Sequence, residues 1–249
     1  MVNGLGHAAW LKLRERARAL DDDRLAVLSP MLILAPHQDD ETLGCGGLLA
    51  TASRLGLKPR VAYLTDGSAS HLGSPAWTAE RLSQTRRSEA LAALAVLGVP
   101  ETDVCFLEWP DAQPLDVGSP AYERSLVQLT YWATRFGPRS VWSPWPQEDH
   151  CDHAAAAHLA LDLAGRLRSS PVRMDYLVWG WSKPQLSQQT RGAIWALDCP
   201  DTVDARTRAL ACHRTQLGGL IRDAEKNFQI PPELAALTAR PTEIYLEGA

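Results

Sequence analysis

His37, Asp39, Asp40 and Glu41 stand within five positions of "APHQDDETLGCGGLLA" (35–50), between the apolar run "MLILA" and a glycine cluster. Adjacent carboxylates repel one another, and each costs free energy to withdraw from water. Crowding them beside an imidazole at the edge of an apolar segment calls for a positive partner. A second cluster, "QEDHCDHAAAAH" (147–158), sets His150 and His153 three residues apart. Together these side chains form a nitrogen and oxygen donor set for a divalent ion, and zinc is the natural guess. A catalytic zinc keeps three protein ligands and one open position. His37 and Asp40 can bite from one turn, and His153 can supply the third bond. Asp39 is then left to accept a proton from water. His150 can stabilise the developing oxyanion or protonate a leaving amine, and Asp152 can orient one of the histidines.

Such a site needs two distant segments at one edge of a scaffold, and the elements between them supply one. "MLILA" (31–35), "RVAYLT" (60–65), "DVCFLEW" (103–109) and "SVWSPW" (140–145) read as buried strands. Helical spacing fills 41–56, 75–97, 119–135 with Ser119 and Pro120 as N-cap and first turn, and 153–168. "MDYLVWGW" (174–181) and "GAIWAL" (192–197) read as late strands, a hairpin across "SKPQLSQQTR". A helix is expected over 204–217 and irregular chain after it. The N-terminus reads as an amphipathic helix with Leu11, Leu13, Ala17 and Leu20 on its apolar side. The alternation predicts a Rossmann-like three-layer α/β fold with a mainly parallel central sheet and room for C-terminal antiparallel strands. A single domain over 1–249 is the simplest account. In such sheets ligands bind beyond the carboxyl ends of strands, which puts His37 to Glu41, Asp66, Asp111 and His150 on one rim.

The 249 residues are 45% hydrophobic and 22% charged, enough to build a substantial core, with net charge −4. No basic stripe suggests nucleic acid, and no polybasic cluster suggests anionic lipid. No apolar run reaches a membrane span, and the N-terminus turns charged too early for a secretory signal. Five scattered cysteines without a C-x-x-C pair fit reduced thiols, so a cytoplasmic protein is expected. "GCGG" is not a dinucleotide fingerprint, and the acids before it would repel pyrophosphate. Its glycines read instead as close helix–strand packing. His7, His71 and His158 lack the context of ligands.

"APHQDDETLGCGG" resembles the A-H-P-D-D-E-x-x-G-x-G-G signature of the N-acetylglucosaminylphosphatidylinositol de-N-acetylase (PIG-L, or LmbE-like) family, and "EDHCDH" resembles its H-P-D-H signature. The resemblance continues through "YLTDG", "RRSEALAALAVLG", "FLEWPD" and "ALACHRTQ", so it spans roughly 31–217. It implies a Rossmann-like fold and zinc-dependent hydrolysis of an acetamide on an N-acetylglucosamine-containing or similar amino-sugar substrate. Residue by residue, it makes His37, Asp40 and His153 metal ligands, Asp39 the base, and His150 the acid or oxyanion partner. It makes Arg86 and Asp111 substrate contacts. Arg86 with Glu89 also reads as an i,i+3 surface pair, and Asp111 as a turn residue after Pro110. Gln38 and Cys151 stand where the family has prolines, which bears on loop stiffness. Glu148 and Asp149 add charge that would favour a cationic or polyhydroxylated substrate, or would simply be solvated. Trp109, Trp142, Trp145, Trp179 and Trp181 near strand ends read either as platforms for sugar rings or as core. The alternatives are an amidase on a non-sugar N-acyl conjugate and a metal- or sugar-binding module without turnover. The oligomeric state stays open.

Overall fold

A computed structural model describes residues 6–183, 185–190 and 192–248. Its elements in chain order are α1 (His7–Arg16), β1 (Arg18–Ala19), α2 (Asp22–Leu28), β2 (Met31–Ala35), α3 (Asp40–Arg54), β3 (Arg60–Thr65), α4 (Ala79–Val96), β4 (Val104–Trp109), α5 (Pro120–Thr134), β5 (Ser140–Pro144), α6 (Cys151–Arg166), β6 (Val172–Tyr176), α7 (Leu186–Gln189), β7 (Ile194–Asp198), α8 (Val203–Leu210), α9 (Pro232–Ala235) and β8 (Thr242–Glu247). The eight strands form one mixed sheet in the order β1-β7-β8-β6-β5-β2-β3-β4. All pairs are parallel except those that β8 makes with β6 and β7.

Strand alternation divides the core. Met31, Ile33 and Ala35 of β2 face α2, α3, α4 and α8, whereas Leu32 and Leu34 face α5 and α6. Both faces of the inner strands are covered, which is why β2 reads as a continuous apolar run. The chain winds from β2 outward to β3 and β4, then returns through α5 to β5 on the other side of β2. Beyond the carboxyl ends of β2 and β5 the connections diverge, and a crevice opens at that switch point.

The glycine cluster behaves as expected. A Cβ on Gly44 would lie 2.3 Å from the Tyr176 ring, and one on Gly47 would lie 2.6 Å from Cys199 Sγ. The bare backbone at Gly47 also admits the Glu243 carboxylate, which accepts the N–H groups of Gly47 and Leu48 at 2.7 and 2.9 Å.

The C-terminal third departs from the sequence reading. β6 and β7 form no hairpin: β8 lies between them, with Asp175 opposite Leu246 and Trp195 opposite Tyr245. The run 174–181 is not one strand, because 3-10 turn Trp179–Ser182 follows β6. Residues 204–217 are not one helix either: α8 stops at Leu210, and a 3-10 turn covers Arg214–Gln216. At the N-terminus α1 buries Leu13 but leaves Leu11 exposed. Leu20 is buried beyond the helix, past the short edge strand β1. Among the described residues no helix is long and apolar enough to cross a membrane, and the five cysteines are free.

Candidate active site

Two loops at the switch point carry the chemistry. The first leaves β2 at Pro36 and enters α3 at Asp40. Asp39 is the residue before that helix, with φ 152° and ψ −25°, a region that non-glycine residues rarely adopt. Its carbonyl accepts the N–H groups of Thr42 and Leu43 at 3.0 and 2.9 Å. Its side chain does not cap the helix; Arg86 Nη2 lies 3.4 Å from its Oδ2 instead. The second loop runs from β5 to α6. His150 caps α6, its Nδ1 accepting the N–H of Asp152 at 3.3 Å.

The two loops meet at one oxygen. His37 Nδ1 lies 3.1 Å from Asp40 Oδ2, and His153 Nε2 lies 3.3 Å from the same atom. The remaining ring nitrogens are held from behind. His37 Nε2 is 3.0 Å from Asp152 Oδ2 and 3.3 Å from Asp111 Oδ1, and His153 Nδ1 is 2.7 Å from Glu148 Oε2. Glu148 Oε1 accepts the N–H groups of Val178 and Gly180 at 2.7 and 2.8 Å. These carboxylates fix the outer ring nitrogens as donors, which turns the inner nitrogens toward Asp40. His153 Nε2 is buried and makes no hydrogen bond among the described residues. Two imidazole nitrogens facing a single carboxylate oxygen require a cation between them, either protons on the rings or one metal ion. The donor set of two imidazoles and a carboxylate suits zinc, so His37, Asp40 and His153 fit such an ion. The ligand atoms of His37, His150 and His153 also lie within 4.8 Å of one another.

The electrostatics without a metal ion make the same point. Burial works against a proton on His37, but its bonds to Asp111, Asp152 and Asp40 prevail and hold its pKa well above the usual imidazole value. Burial likewise opposes charge on His153, yet Asp40 and Glu148 push it up to about 9. Burial would raise Asp40, and His153 and His37 pull it well below the carboxylate range. The site draws protons into the place that a cation would fill. Asp39 moves the opposite way: burial raises it to about 6 against the pull of Arg86. Burial and the neighbouring imidazoles of His37 and His153 lower His150.

His37, Asp39, Asp40, Arg86, Asp111 and His150 line one cavity of about 360 Å³, and His153 and Asp152 lie buried behind it. All eight residues singled out in the sequence therefore converge. Arg86 is not a surface partner of Glu89. It is 3% exposed and donates to the carbonyls of Gly67 and Gln38 at 3.0 and 3.1 Å, while Glu89 accepts from Thr215 N and Oγ1. Asp111 does lie in the turn that follows Pro110. It is buried and accepts the Ala69 N–H at 2.8 Å. Although burial opposes it, bonding to His37 and the charges of His37 and Arg86 bring Asp111 down to about 2. Glu148 is neither solvated nor aimed at substrate, since it is buried and grips His153. Of the five tryptophans, Trp109, Trp142, Trp145 and Trp181 are core, and only Trp179 lines the cavity.

The sequence reading missed a support beneath Asp39. Glu41 Oε2 accepts the Asp39 N–H at 3.0 Å, and Glu41 Oε1 lies 2.6 Å from Thr42 Oγ1 and 3.3 Å from His213 Nε2. His213 sits in "ALACHRTQ", and the family resemblance that reaches this stretch was the available signal.

Residues 32–164 match the PIG-L family, described as GlcNAc-PI de-N-acetylase. The chain belongs to this family. Among solved structures, N,N'-diacetylchitobiose deacetylase from Pyrococcus horikoshii superposes with a TM-score of 0.60 at 21% identity, over 74% of this chain and 69% of that one. A40926 pseudoaglycone deacetylase Dbv21 superposes with 0.61 at 19% identity, over 88% and 97%. GalB, the 4-carboxy-2-hydroxymuconate hydratase from Pseudomonas putida KT2440, superposes with 0.59 at 23% identity, over 73% and 77%. At these identities the likeness establishes the LmbE-like α/β fold. A fold shared by deacetylases and a hydratase does not choose the reaction, so for this PIG-L chain the reaction has to be argued from the site.

Proposed function

We propose that this PIG-L family chain is a hydrolytic N-deacetylase that removes an acetyl group from an N-acetylglucosamine-containing or similar amino-sugar substrate. His37, Asp40 and His153 would hold a zinc ion, which when bound supplies a Lewis acid that polarises an acyl oxygen and acidifies a water. One observation carries the reading: two imidazoles from segments more than a hundred residues apart turn their inner nitrogens on the same Asp40 oxygen, and a spare acid stands beside them. Family membership and the deacetylases among the similar structures support it.

Asp39 takes the proton of the attacking water. With its pKa near 6 it is ionised at neutral pH and is a stronger base than an ordinary carboxylate. Arg86 holds its Oδ2 and the carbonyl of Gln38, fixing the base relative to the loop. His150 accepts the Asp152 N–H at Nδ1, so its neutral ring carries the proton on Nε2. Its lowered pKa keeps it neutral, and it donates to the developing oxyanion. The proton gathered by Asp39 passes to the departing amine, which leaves with the sugar as acetate is released. Arg86 and Asp111 contact the sugar from the cavity wall. Asp152 orients His37, and a single catalytic domain acting in the cytoplasm completes the proposal.

The test is acetate release from a panel of N-acetylated glucosamine derivatives and non-sugar N-acyl conjugates, coupled to metal analysis. Turnover confined to the sugar derivatives, in protein carrying about one zinc per chain, is the expected result. Turnover confined to non-sugar conjugates supports the amidase, and zinc binding without turnover of any member supports a binding module.

A further inference from the structure

Gln38 stands where the family signature has proline, and it is 1% exposed although it carries an amide. Strand pairing shows what that amide replaces. β2 and β3 run parallel with Ala35 opposite Tyr63, and Thr65 N donates to Pro36 O at 3.0 Å. In a parallel ladder the next bond would come to Thr65 O from the main-chain N–H of residue 38. β2 ends at Ala35, however, and the donor to Thr65 O is Nε2 of the Gln38 side chain, at 2.8 Å. Thr65 Oγ1 adds a bond to Pro36 O at 2.9 Å, so one residue of β3 grips the loop three times.

The backbone turns sharply at this point. Asp39 N donates to His37 O at 3.2 Å, two residues back, which makes a γ-turn centred on Gln38. Gln38 has no positive φ, so the turn is the inverse form, with φ of about −75° at its centre. Asp39 follows with φ 152°, a conformation that persists only where its surroundings over-determine it. The other restraints are side chains that can follow a moving loop: Glu41 Oε2 accepts the Asp39 N–H at 3.0 Å, and Arg86 Nη2 donates to Gln38 O at 3.1 Å. The Thr65 carbonyl is main chain of the sheet and stays where it is. It can only accept, so the amide nitrogen faces it and Gln38 Oε1 turns toward Gly67. A Cβ on Gly67 would lie 2.2 Å from that oxygen, and the bare backbone there leaves the amide its place.

We propose that Gln38 is a positioning residue. Its amide completes the ladder to β3 in place of the backbone and thereby holds His37, Asp39 and Asp40 in their relative geometry. For its effect on turnover this rests on the deacetylase reading; the hold on the loop does not. Proline would reach the same end by another route. It offers no donor to Thr65 O, but its ring fixes φ at about −65°, close to the value that an inverse γ-turn needs.

Three variants separate these routes. Gln38→Met keeps the length without the donor, Gln38→Asn keeps the amide without the reach, and Gln38→Pro restores the turn through its ring. Hydrogen exchange of the full chain, read by mass spectrometry, is set beside kcat and KM for the methyl glycoside of N-acetylglucosamine. In Gln38→Met and Gln38→Asn the segment 36–43 should exchange about 2- to 10-fold faster than in the parent, as the loss of one hydrogen bond predicts, with α5 unchanged. kcat should fall about 10- to 100-fold, the cost of a misplaced catalytic group, with KM within about twofold of the parent. Gln38→Pro should recover most of both losses. Unchanged exchange in Gln38→Met and Gln38→Asn overturns the proposal, and so does an acceleration that extends to α5, which would make Gln38 a general packing residue. A raised KM with intact kcat overturns it too, as does a Gln38→Pro protein as loose as Gln38→Met. If the parent turns over no N-acetylated compound, the deacetylase reading fails, and the exchange of 36–43 still decides the hold on the loop.

Discussion

Glu148 Oε2 lies 2.7 Å from His153 Nδ1 with both side chains withdrawn from solvent, and its other oxygen takes two backbone N–H groups from the turn after β6. The carboxylate fixes which His153 nitrogen carries the proton and ties the α6 histidine to the strand next to β5. Glu148→Gln keeps the volume and one acceptor but lets the amide rotate. Metal affinity should fall about 10- to 100-fold, as it does when such supporting carboxylates are altered. Competition against a chelator of known affinity measures it, and unchanged affinity would remove Glu148 from the site's framework.

Asp39 is held in a strained backbone conformation by the Glu41–His213 pair, so it should respond to substitutions at two removes. Asp39→Asn should retain zinc and lose about 10²- to 10⁴-fold in kcat, the range for removing a general base. His213→Ala takes a partner from Glu41 Oε1, loosening the acceptor of the Asp39 N–H. Its kcat should fall while KM for a methyl glycoside of N-acetylglucosamine changes little. A variant with raised KM and intact kcat would show that His213 shapes substrate binding instead.

Gly44 tests the packing beneath the site. A methyl group there meets the Tyr176 ring at 2.3 Å, and that ring is itself fixed by its hydroxyl on Leu34 O at 2.9 Å. Gly44→Ala should cost about 1–3 kcal/mol of stability, as overpacking does, despite the better helix propensity of alanine. Urea denaturation reads it out, and a stabilised variant would mean that α3 shifts freely on the sheet.

The parallel half of the fold was legible because its signals are local: apolar runs of strand length, caps such as Ser119, and glycines after helices. The eight residues that meet at the cavity were legible because two signatures carry most of them. What escaped depends on contacts between distant segments. Glu148 looks like surface charge in "QEDH" until the turn at 178–180 folds over it. β8 is hidden because it is inserted between β6 and β7, and strand order is not written in spacing. Four of the tryptophans near strand ends face the core and one faces the cavity, and their flanking residues do not distinguish them.

Asp175 on β6 makes the last prediction, one independent of the site. Burial raises its carboxyl to about 7, against the pull of Arg173. In the unfolded chain it ionises near 3.8. Between those values the folded protein binds the proton and the unfolded chain does not, so stability falls as pH rises through the window, by up to about 1.4 kcal/mol per pH unit. Below the window the contribution is fully present, and above it the loss is complete. Asp175→Asn cannot ionise. It should match the parent near pH 4 and exceed it in stability at pH 8, with the difference opening between. Urea titrations of both proteins at pH 4, 6 and 8 measure that difference directly. A constant offset at all three would mean that Asp175 is charged in the folded protein throughout, and a difference opening toward low pH would reverse the sign of the shift.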